Sequence, residues 1–111
     1  TKSTDGGLTW STAQPNNILG SPPHALRHSS GAIVCVYGYR LAPYGQRAMI
    51  SRDHGMTWQH DIILRDDGPD NDLGYPASVE LPGGDLLTVY YQKLNRGEKC
   101  SLLYTRWQLP S

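Results

Sequence analysis

The chain has 111 residues, and ten Lys and Arg against ten Asp and Glu leave no formal net charge at neutral pH. That balance gives no electrostatic draw toward nucleic acid or an anionic membrane surface, and no apolar run approaches the roughly 20 residues of a helical membrane span. Phe is absent while Tyr occurs seven times and Trp three, beside 12 Gly and 8 Pro; aromatics favour strands and Gly and Pro favour turns, so short strands joined by tight turns are expected. No window of about ten residues carries an apolar stripe of helical period free of Gly, Pro or β-branched runs.

The chain opens on Ser3-Thr4-Asp5-Gly6-Gly7-Leu8-Thr9-Trp10, and the pattern S-x-D-x-G-x-T-W returns 48 residues later as Ser51-Arg52-Asp53-His54-Gly55-Met56-Thr57-Trp58. Each part of the element has a folding role. The Asp accepts backbone N–H bonds inside a tight turn, the Gly supplies a positive φ, and the Trp covers the hairpin with an apolar ring. A repeat of this length marks stacked supersecondary units that cannot bury their apolar faces alone, and the blades of a β-propeller fall in this range.

Strands are predicted in order at 24–28, 32–40, 46–52, 57–64, 76–81, 86–93 and 99–109. A second repeat runs through them: the segment from Pro23 to Tyr37 overlays the segment from Pro76 to Tyr90 at an offset of 53 residues, with turns at Ser30-Gly31 and Gly83-Gly84. Both copies read as hairpins. The offset exceeds that of the octapeptides by five residues, which predicts a loop insertion. The acidic run Arg65-Asp66-Asp67-Gly68-Pro69-Asp70-Asn71-Asp72 is read as a solvated turn or as a source of one functional carboxylate, Asp72 or Asp67. Cys35 and Cys100 do not align as partners and are expected to be two buried free thiols. Neither they nor His24, His28, His54 and His60 have metal-ligand spacing, so no metal site and no cofactor is expected.

The octapeptide strongly resembles the Asp-box, also called the bacterial neuraminidase repeat, of sialidases and related propellers. The segments Pro43 to Ser51, Asp72 to Pro76 and Leu81 to Tyr91 are similar to consecutive parts of a sialidase-like propeller. The resemblance covers nearly the whole chain, and its tail, Leu102 to Pro110, looks like a last strand. It implies an all-β fold of propeller blades: about two four-stranded antiparallel blades plus part of a third, an excerpt of a six-bladed ring. Residues 1–20 would end one blade with the first box, 21–65 would form the second with the second box, and 66–111 the last. The box residues Ser3, Asp5, Gly7, Thr9, Trp10, Ser51, Asp53, Gly55, Thr57 and Trp58 would be structural, in the turn between a blade's third and fourth strands and away from the catalytic face.

The same resemblance assigns chemistry. Sialidases clamp a sugar carboxylate with arginines, whose forked guanidinium matches it bidentately, and attack with a tyrosine, which does not repel an anionic substrate as a carboxylate would. Tyr75 in Gly74-Tyr75-Pro76 matches the nucleophile, Arg47 the third clamp arginine and Arg40 the second. Pro22 stands where the activating glutamate is usual, which leaves His24 as the candidate base. Asp72 is a candidate for acid/base chemistry or for holding sugar hydroxyls. Each also has a structural reading: Tyr75 an aromatic beside a proline, Arg47 a solvated strand charge, His24 an ordinary strand histidine.

The implied function is the C-terminal part of a sialidase-like glycoside hydrolase acting on an acidic sugar. The alternatives are a non-catalytic Asp-box module binding glycan or protein, and a purely structural excerpt. The expected partners are carbohydrate and the remaining blades, or self-association through uncovered edges, with no role for nucleic acid or membrane. The isolated chain is expected to be inactive. The compartment is unknown from the residues; by resemblance it would be secreted or periplasmic.

Overall fold

The structure, a computed structural model, describes all of residues 1–111. It contains seven strands and no helix: β1 (Pro23–Arg27), β2 (Ile33–Tyr39), β3 (Tyr44–Ser51), β4 (Gln59–Gly68), β5 (Leu73–Glu80), β6 (Leu86–Gln92) and β7 (Ser101–Trp107). They form two antiparallel meanders, a four-stranded sheet ordered β1-β2-β3-β4 and a three-stranded sheet ordered β5-β6-β7. No helix is long and apolar enough to cross a membrane.

The hairpin repeat is visible atom by atom. In the β1–β2 turn His28 N–H donates to Ala32 O at 2.8 Å and Gly31 N–H to His28 O at 2.8 Å; 53 residues on, Leu81 N–H donates to Asp85 O at 2.7 Å and Gly84 N–H to Leu81 O at 3.0 Å. Gly31 and Gly84 adopt φ of 92° and 96°, which a side chain would oppose. The two turns also clasp each other. His28 Nε2 lies 2.8 Å from Gly84 O and 3.2 Å from Glu80 Oε1, while the Glu80 carboxylate accepts from Ser29 N–H at 2.9 Å. The Ser29 hydroxyl and backbone bonds hold the Glu80 carboxyl below its usual range, so this contact gains strength above that range and fades as pH falls through it.

The sheets pack face to face, with β5 lying across β1 and β2. Val34, Val36, Ala48 and Ile50 from the first sheet and Leu86 from the second form the buried core with Ala32, flanked by Leu26, Ile62, Leu64, Trp107 and Leu109. β2, the sequence Ile-Val-Cys-Val-Tyr-Gly-Tyr, is covered on both faces and so reads as a continuous apolar run. In β7 burial alternates strictly, with Leu103, Thr105 and Trp107 turned inward. At one point the sheets approach through backbone alone: a Cβ added to Gly38 would stand 3.0 Å from Gly74 Cα and 2.8 Å from Ser21 O.

Several expectations need correction. The second sheet has three strands rather than four, because the residues after β7 do not fold back along it. Residues 1–22 contain no strand. β4 continues to Gly68 and β5 begins at Leu73, so residues 69–72 connect the two sheets. Its extension follows from bulges opposite Tyr44, Gln46 and Ala48, which let strand pairing pass through the acidic run. Cys35 is buried as expected, but Cys100 is exposed, just before the open β7.

Candidate functional site

The octapeptides adopt one geometry twice. Asp53 Oδ1 accepts from Thr57 N–H at 2.8 Å and from Ser51 Oγ–H at 2.8 Å, and Ser51 Oγ accepts from Gly55 N–H at 2.7 Å. In the first copy Asp5 Oδ1 accepts from Thr9 N–H at 2.9 Å and Ser3 Oγ–H at 2.8 Å, and Ser3 Oγ accepts from Gly7 N–H at 2.9 Å. Gly7 and Gly55 adopt φ of 90° and 85°, and a Cβ on either would contact the ring of Trp10 or Trp58. Ser3, Asp5, Gly7, Thr9 and Trp10 thus match Ser51, Asp53, Gly55, Thr57 and Trp58 in local structure. The second copy occupies the turn between β3 and β4.

The threonine hydroxyl and N–H, with the serine hydroxyl, depress both carboxyls from 3.8 to about 2. A depressed carboxyl adds stability that is complete above its unfolded value and is lost as pH falls through the folded one. The urea midpoint should therefore drop between about pH 4 and pH 2. Asp53→Asn should lower the midpoint at pH 7 and flatten that drop; equal pH slopes for the two proteins would show that Asp53 is not responsible.

The sequence-derived site residues lie at the other end of the strands. In the β2–β3 ladder Ile33 pairs with Ser51 at the box end and Tyr39 with Gly45 at the far end, about 20 Å away at strand rise. Here Gly74, at φ 124°, and Tyr75, at φ 49°, break the β5–β6 register, which resumes at Ala77. Positive φ is rare for a bulky residue and marks backbone held against its own preference. The bulge raises Tyr75 out of the pleat. Its ring, 66% exposed, stacks on Tyr91 with centroids 5.9 Å apart and planes 29° apart. The Arg40 guanidinium lies 6.0 Å from the Tyr75 ring centroid, and a Cβ on Gly74 would come within 3.5 Å of its Nη2.

Arg40 takes part in no ion pair of the chain. Its fork is therefore available to an external anion. No hydrogen bond within the chain reaches the Tyr75 hydroxyl. Burial raises the Tyr91 hydroxyl above its usual pKa, and the nearby charges of Arg40 and Asp72 act on it in opposite directions. Asp72 Oδ2 lies 3.5 Å from Lys93 Nζ and 3.4 Å from Cys100 Sγ. Of the other loop carboxylates, Asp67 pairs with Arg65 at 2.6 Å and Gln92 at 2.9 Å, and Asp70 with Lys93 at 2.9 Å. The structure thus gathers Tyr75, Arg40 and Asp72, and adds Tyr91.

Arg47 and His24 are placed elsewhere. Arg47 pairs across the ladder with Tyr37, on the face opposite Gly38 and therefore turned away from β5. It stacks 3.5 Å over the Tyr39 ring and bonds Asp61 Oδ1 at 2.9 Å, with His60 on the other carboxylate oxygen at 2.9 Å. Its charge is already matched within a small cavity of about 130 Å³ that Asn17, Ile18 and Leu19 help to line. His24 Nδ1 accepts the Ser78 N–H at 3.2 Å, linking β1 to β5, and makes no hydrogen bond to Tyr75. Tyr91 could have been found by pairing the two hairpin strands, because it stands opposite Gly74. The neutralisation of Arg47 had no sequence signal, since Asp61 reaches it from an irregular β4 at φ 61°.

The BNR/Asp-box repeat family model matches residues 49–60. The chain is also similar to the crystal structure of a protein of unknown function from Dyadobacter fermentans DSM 18053, with 33% identity and a TM-score of 0.88. That similarity covers 97% of this chain and 30% of that one, so the chain spans less than a third of its length. No curated protein matches the chain. What these observations establish together is an all-β protein of two antiparallel sheets that carries an Asp-box repeat.

Proposed function

We propose that the chain is a sector of a sialidase-like β-propeller whose ligand-facing end holds an acidic sugar, with Tyr75 as nucleophile and Arg40 as the carboxylate clamp. Two stacked meanders with an Asp-box between β3 and β4 support the propeller reading. The observation that carries the site is an exposed tyrosine held at positive φ beside an unpaired guanidinium. Such strain persists only where surrounding structure enforces it, and it clusters at functional positions. Asp72, whose charge acts on the Tyr91 hydroxyl, would serve hydroxyls of the sugar. Completion of the site falls to the remaining blades.

A non-catalytic glycan-binding module is the second reading, favoured by His24 being engaged by Ser78 and by the lack of any base on the Tyr75 hydroxyl. A fluorogenic aryl sialoside and an immobilised sialoglycan separate the two. The enzyme reading expects turnover by the assembled protein that Arg40→Ala lowers. Retention of the glycan without turnover would select the binding module, and neither activity would discard both.

A further inference from the structure

We propose a second activity for the end of the strands that carries Tyr75 and Arg40: cleavage of a 4-linked uronate chain of gluco configuration by β-elimination. It rests on reading this end as an acidic-sugar site, but not on hydrolysis. An arginine fork holds a carboxylate bidentately and so fixes the position of the carbon that bears it. A tyrosine oxygen aimed at that carbon has two chemistries open to it, and the substrate selects between them. In a sialoside the carbon is the anomeric centre and is attacked. In a uronate it carries a hydrogen α to the carboxylate, which the same oxygen can remove.

The groups gathered here are complete for elimination and incomplete for hydrolysis. Hydrolysis takes a second proton-transfer group beside the nucleophile. His24, which the sequence offers for that role, accepts the Ser78 N–H instead, and Asp72 lies against Lys93 and Cys100. Elimination takes a cation that neutralises the carboxylate while its α-carbon gives up a proton, and one group that moves the proton. Arg40, in no ion pair of the chain, supplies the first. Tyr75, 66% exposed and with its ring centroid 6.0 Å from that guanidinium, supplies the second. The stack on Tyr91 and the φ of 49° fix the direction of the Tyr75 side chain.

The Tyr75 phenolate takes the C5 proton. The C5–H electron pair becomes the C4=C5 double bond, the C4–O bond breaks with its pair going to the leaving oxygen, and the new phenol gives its proton to that oxygen. The phenolate is restored, and the step consumes no water and needs no oxidant. Because one hydroxyl takes and returns the proton, the hydrogen and the leaving oxygen must lie on the same face of the sugar ring. D-glucuronate meets this condition; D-galacturonate, inverted at C4, places them on opposite faces.

Incubating the assembled protein with 4-linked poly-D-glucuronate, poly-D-galacturonate and an aryl sialoside tests this. Ultraviolet absorbance reads the C4=C5 bond conjugated to the carboxylate, and mass spectrometry in heavy-oxygen water reads solvent oxygen in the products. The chromophore should arise from polyglucuronate alone, without solvent oxygen. Its rate should fall roughly 10³-fold or more in Tyr75→Phe, while affinity for polyglucuronate stays within about twofold. Saturated products carrying solvent oxygen overturn the elimination and leave the acidic-sugar site standing. Polyglucuronate bound but not cleaved, or sialoside turnover with no action on either uronate, does the same. Equal cleavage of polygalacturonate, or an undiminished rate in Tyr75→Phe, overturns the single-hydroxyl step. A protein that neither binds nor cleaves any of the three overturns the elimination and the acidic-sugar site together.

Discussion

Replacing Tyr75 with phenylalanine in the assembled protein should reduce turnover of an aryl sialoside by roughly 10³-fold or more, the scale on which loss of a covalent nucleophile is felt, while leaving the fold intact. The hydroxyl makes no hydrogen bond within the chain, so its removal leaves no orphaned partner. The ring contacts that position the residue, Tyr91 below and Arg40 beside, survive in phenylalanine. Stability should therefore change by no more than about 0.5 kcal/mol. Arg40→Ala makes the complementary prediction: KM should rise, because the carboxylate clamp acts in the bound ground state as well as in the transition state. Should Tyr75→Phe turn over substrate like the parent, the nucleophile assignment fails. If that variant retains glycan affinity within about twofold and no turnover exists to lose, the site binds sugar without cleaving it.

The strands were legible because their physics is local. The Val, Ile and Tyr runs of β2 and β6 and the glycines of the hairpin turns gave both hairpins, and the paired octapeptides gave the β3–β4 turn. The site was legible in part for the same reason: Gly74-Tyr75-Pro76 announces an irregular strand entrance, and Arg40 follows a run of apolar residues into an exposed position. What escaped the sequence was set by tertiary neighbours. Arg47 has the chemistry of a clamp, but Asp61 and the Tyr39 ring, fourteen and eight positions away, hold its charge on the face turned away from β5. His24 has the imidazole chemistry of a base, but β5 crosses β1 where its Nδ1 accepts the Ser78 N–H. Cys100, read as a small apolar core residue, falls beside the open edge of β7, where no neighbouring strand covers it.

Gly38 joins the fold to the site, and Gly38→Ala should damage both. Its φ lies outside the positive range, so alanine is acceptable there as local backbone and any effect must come from contact. The added Cβ would meet Ser21 O at 2.8 Å and Gly74 Cα at 3.0 Å, both backbone atoms that cannot rotate aside. The sheets must separate locally, at a cost of about 1–3 kcal/mol for such overpacking. The displacement falls on Gly74, the residue whose φ of 124° sets the exit of Tyr75. Ligand affinity or turnover should therefore drop together with the melting temperature. Ile50→Val provides the contrast: it thins the core at the box end, costs about 0.5–1.5 kcal/mol, and leaves Gly74 untouched, so stability should fall while the site keeps its affinity. Equal effects of the two variants on ligand at matched stability loss would mean that Tyr75 is not positioned through the Gly38 contact, and that its bulge is maintained by Arg40 and Tyr91 alone.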